Sequence, residues 1–131
     1  MSTVTIEFSV PITGVIDPNG RESRAKVKAK AKRLRAEAAY WSEMARGQAR
    51  VLGVAMERAE LTVSAGWPLS GRASTSGNVN SILEPVIEGC VDAKIVRGSD
   101  SGHLLKVTTQ TYGRSTPGLL WLRLEFTDAD S

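Results

Sequence analysis

Eight of the 17 lysines and arginines in this 131-residue chain fall between Arg21 and Arg35, where Glu22 is the only acid. The segment holds Arg21, Arg24, Lys26, Lys28, Lys30, Lys32, Arg33 and Arg35, eight bases against one acid, or +7. The remaining nine bases meet 13 acids, or −4, and the chain as a whole carries +3. Local charge of nearly one sign fits a polyanionic partner. The plainer reading is a solvated helix face, but the acids that usually balance such a face at i,i+4 are missing. A second group is acidic. Glu84, Glu88 and Asp92 recur every four residues, so a helix would line them up in one stripe. That stripe reads either as the solvent face opposite an apolar one or, together with Asp100, as a relocated set of oxygen ligands for a hard cation. The single His103 stands near the start of a strand without an evident catalytic partner. The single Cys90 cannot form an internal disulfide and reads as a small core residue, and the two together cannot close a zinc site. An intracellular, reducing home fits this cysteine usage.

These residues need elements to position them. Val4, Ile6, Phe8 and Val10 alternate with polar residues, the period of a half-buried strand over 3–10. Pro11, Gly14 and Asp17-Pro18-Asn19-Gly20 make a turn-rich loop. The basic segment then opens a long helix over about 23–50. Its apolar stripe, Val27, Ala31, Leu34, Ala38, Trp41 and Ala45, is about 80° wide at ~100° per residue. Arg24, Lys28, Lys32 and Arg35 fall on one flank of the stripe, and Lys26, Lys30 and Arg33 on the other. A second strand over 61–67 ends at Pro68, and a small, polar loop runs over 70–77. A second helix near 78–93 takes Val79, Ile82, Leu83, Val86, Ile87, Cys90 and Val91 as its apolar face. Pro85 inside that pattern predicts a kink or a later start. Strands at 104–111 and 119–126 close the chain. Trp41 and Trp67 read as core, whereas Trp121 lies on the face opposite Leu120 and Leu122 and is available to a dimer contact. The fold class is a small, single-domain α+β fold over residues 1–131, order β-α-β-α-β-β, with the helices packed on one mixed sheet. The composition, 41% hydrophobic and 24% charged, suits one such domain. No apolar run reaches membrane-spanning length, and the N-terminus lacks the pattern of a secretory signal.

Four places, taken in order, resemble the RusA-like family of phage and prophage Holliday-junction endonucleases. Asp17-Pro18-Asn19-Gly20-Arg21 is similar to the family's Pro-Asn-x-Arg loop. Lys26-Val27-Lys28-Ala29-Lys30-Ala31-Lys32 then opens a helix that continues through Tyr40-Trp41. Gly77-Asn78-Val79 leads into Leu83-Glu84-Pro85-Val86-Ile87-Glu88-Gly89-Cys90-Val91-Asp92-Ala93, similar to the family's Asp-Asn-Leu helix, and a loop and two strands follow. The resemblance implies a RusA-like fold and a homodimer that binds branched DNA in recombination and repair, in the cytoplasm of a bacterial host and encoded by a phage or prophage. It also implies DNA contact through the basic helix start and a Mg²⁺ site made by Asp-x-Asp-Asn and a later aspartate. The chain departs from that metal site. The motif reads Thr75-Ser76-Gly77-Asn78, and the later acids align with Gly98 and Ser99, leaving Asp100 one position on. The expectation is a DNA-binding protein with lost or impaired nuclease activity, a degenerate site (Thr75, Gly77, Asn78, Ser99, Asp100) and no cofactor. Two alternatives stand beside it. One is an active Mg²⁺-dependent endonuclease with carboxylates rearranged around Asp100 and Asp92 or Glu88. The other is a protein-interaction module on the same fold.

Overall fold

The computed structural model describes residues 3–16, 22–49, 55–67, 79–114 and 117–130. Along the chain run β1 (Thr3–Pro11), a single 3-10 turn (Ile12–Gly14), α1 (Arg24–Ala49), β2 (Ala59–Trp67), α2 (Asn80–Asp92), β3 (Leu104–Arg114) and β4 (Leu119–Asp128). The strands form one mixed sheet in the order β1-β4-β2-β3. β4 is antiparallel to both β1 and β2, and β2 is parallel to β3, with α2 in the connection between them. Parallel neighbours need such a crossover, because a tight turn can only reverse the chain.

The period-two patterns become transverse rows. Val4 pairs with Phe126 and Phe126 with Leu61; Ile6, Leu124 and Val63 form the next row, and Phe8, Leu122 and Ala65 the third. All nine side chains are buried. Leu34 and Ala38 of α1 and Ile82, Val86 and Cys90 of α2 join them in one core. The sheet's other face is polar and open, and there Trp121, half-buried, lies between Ser9 and Gly66.

Several boundaries move. β3 and β4 run a few residues past the expected ends, since their last residues still pair with β2 and β1. α2 starts at Asn80 and continues through Pro85. Pro85 is the sixth residue of the helix, past the first turn, so it removes one internal N–H donor without ending the helix. At α1 the backbone N–H of Lys26 donates to Ser23 Oγ at 3.2 Å, so Ser23 caps the helix. α1 and α2 meet closely at Gly89, where a Cβ would lie 2.3 Å from the Arg35 carbonyl oxygen and 2.7 Å from Ala38 Cβ. No described helix is long and apolar enough to cross a membrane.

Candidate nucleic-acid interface

α1 lays its apolar stripe on the sheet and on α2, so its cations project along both flanks as the 3.6-residue period requires. Arg24, Lys26, Lys28, Lys32 and Arg33 are exposed and make no ion pair with any other described residue. The other two described cations of the segment are engaged. Lys30 Nζ donates to the Val15 carbonyl at 3.1 Å and pairs with Glu22 at 2.6 Å, which ties the residues after the 3-10 turn to the helix. Arg35 reaches across to α2. Its Nε and one terminal nitrogen donate to the two oxygens of Asp92 at 2.7 and 2.9 Å, and the other terminal nitrogen donates to Glu88 at 2.6 Å. This fork-to-carboxylate geometry suits arginine. Hydrogen bonding to Asp92, and then its charge, raise the Arg35 pKa; the same hydrogen bond holds the Asp92 carboxyl below its usual range. The acidic stripe therefore has a specific partner. Glu88 and Asp92, one helical turn apart, bracket a single guanidinium that spacing within either helix could not reveal.

Among the described residues, two of the grooves beside α1 are lined by its cations. One, of about 450 Å³, lies between α1 and α2 and is lined by Lys32 and Arg35 but also by Glu84 and Glu88. The other, of about 230 Å³, lies between α1 and the 3-10 turn, where Lys26, Lys30 and Arg33 face Thr13 and Gly14.

Of the degenerate metal-site residues, Thr75, Gly77 and Asn78 lie outside the described residues, as do Arg21 and the loop 17–20. Asp100 uses Oδ1 to accept the backbone N–H groups of Gly102 and His103 at 3.0 and 3.2 Å, shaping the turn before β3. His103 Nδ1 donates to the Glu57 carbonyl at 2.7 Å, and its ring packs so tightly on Gly98 that a Cβ there would come within 2.6 Å of it. A carboxylate side chain at position 98 would have to displace that ring. Cys90 is fully buried and accepts a hydrogen bond from Ser42 Oγ at 3.3 Å; burial pushes its thiol up to about 12, well away from reactivity. No group of three or more His, Cys, Asp or Glu side chains among the described residues is arranged to hold a metal ion.

Compared with protein-family models and with curated proteins, the chain matches none.

The residues present do not fit the magnesium site that the RusA-like resemblance implies. Thr75, Gly77 and Ser99 carry no carboxylate, Asp92 has both oxygens on Arg35, and Asp100 is engaged in its own turn. A hard divalent cation needs several unengaged oxygen ligands converging on one point.

Proposed function

We propose that this protein binds duplex or branched DNA through the N-terminal half of α1 and does not cut it, as a RusA-like homodimer acting in phage recombination or repair or in its regulation. The observation that carries this reading is the set of five exposed cations on α1 that no described carboxylate neutralises. Leaving like charges together on a helix costs stability, and a phosphate backbone relieves that repulsion while releasing counterions. A protein-interaction surface has no comparable need for so uniform a sign. The same reading places the protein in the bacterial cytoplasm.

Gel shifts on four-way junction, duplex and single-stranded DNA, with and without Mg²⁺, test it. Expected are binding whose log K falls steeply with log salt and no strand cleavage at millimolar Mg²⁺. Symmetric nicking of the junction that disappears in Asp100→Ala would instead establish the rearranged endonuclease. An affinity no greater than that of a generic polycation would leave the protein-interaction module.

A further inference from the structure

The two flanks of α1 look alike in sequence but differ in what the fold sets beside them. On the α2 side, Lys32 and Arg35 share their groove with Glu84 and Glu88, so its lining is neutral overall. Asp92, also on Arg35, adds further negative charge nearby. A phosphate entering there meets carboxylates at close range, and like charge disfavours it. On the other side, Lys26, Lys30 and Arg33 line their groove with no acid among its walls; Glu22 offsets Lys30 alone, which leaves Lys26 and Arg33 uncompensated.

Resting on the DNA-binding reading above, we propose that the phosphodiester backbone of DNA is held in the groove between α1 and the 3-10 turn, with Lys26 and Arg33 as the charge-bearing contacts. Lys30 is a positioning residue. Its bonds to the Val15 carbonyl and to Glu22 hold the turn against the helix and so set the width of the groove. Across the groove stand the exposed hydroxyl-bearing Thr13 and Gly14, the latter with nothing within 4 Å of where a Cβ would be. That open space lets a phosphate approach the turn closely. Lys26 and Arg33 are seven residues apart, about 10 Å along the axis at ~1.5 Å per residue. Successive phosphates of one strand lie farther apart through space than the ~3.4 Å they advance along the duplex axis, so at this separation Lys26 and Arg33 can neutralise two different phosphates.

The test compares two double variants and one outside the helix, using salt-dependent binding to a duplex and to a four-way junction, with circular dichroism confirming that each is folded. Lys26→Gln with Arg33→Gln is expected to flatten the slope of log K against log salt by about two units. The wild-type advantage over that variant then shrinks about tenfold between 50 and 200 mM salt. Lys28→Gln with Lys32→Gln should change the slope by well under one unit. Thr13→Glu, which leaves α1 intact and puts a negative charge in the groove, should weaken both DNA substrates at least tenfold. A larger or equal effect from the Lys28 and Lys32 pair, or no effect of Thr13→Glu, overturns the groove while DNA binding stands. Unchanged binding in all three variants, or no DNA binding by the wild type, overturns both.

Discussion

Asp92 shows how an unremarkable carboxylate acquires a measurable role from a residue 57 positions away. Its ordinary value of 3.8 is lowered in the fold, chiefly by the hydrogen bond from Arg35. A lowered carboxyl contributes stability that is complete above the unfolded value and fades as pH falls through the folded one. Asp92→Asn is therefore expected to lower the urea midpoint at neutral pH, with the difference from wild type closing as the solution is taken below pH 3.8. A gap that stays constant into acid would mean that the pair contributes through shape and not charge. Both groups are largely exposed, so salt should narrow the gap as well.

At the scale of elements, the contact that sets α1 against α2 is the approach at Gly89. The nearest atom to a Cβ there is backbone, the Arg35 carbonyl oxygen, which cannot rotate aside. Gly89→Ala should gain up to about 1 kcal/mol of helix propensity yet lose more to overpacking, for a net destabilisation of about 2 kcal/mol. Gly47 in α1 is the control, because a Cβ there meets nothing within 4 Å. Gly47→Ala should stabilise by up to about 1 kcal/mol. Urea unfolding of both variants checks the pair of signs. If Gly89→Ala is neutral or stabilising, the helices are not held at this distance.

At the scale of the molecule, the sheet has two edges, and β3 is one of them. The core rows reach β3 at Val107, opposite Leu61, but the helices do not cover it, and Leu105 and Val107 stay 48% and 41% exposed. Residues 107–113 carry no charge, so a second copy can lie antiparallel against this edge without like-charge conflict. A two-fold axis makes such pairing self-complementary. For the proposed homodimer, β3 is a better seam than Trp121, which is half-buried near one end of the inner strand β4. Light scattering at micromolar concentration should give twice the 14.1 kDa chain mass, and Val107→Lys, a charge of the kind that protects natural edges, should return it to the monomer. A wild-type monomer would remove the dimer from the proposal, and a dimer unchanged by Val107→Lys would move the seam elsewhere.

The amino-acid sequence by itself determined the periodic elements and their faces. Alternation put Val4 to Val10 and Leu120 to Phe126 on the inside, and a three- and four-residue rhythm aimed Leu34, Ala38 and Cys90 inward, because hydrophobic burial acts on each element through its own period. The concentration of positive charge at the start of α1 was equally local and equally legible. Tertiary structure alone decided which cations stay available. Arg35 meets Glu88 and Asp92, Lys30 meets Glu22 and the Val15 carbonyl, and Lys26 and Arg33 face a turn without acids. Ion pairs and grooves depend on distances of a few ångströms between elements far apart in the chain, and no period within one element encodes them.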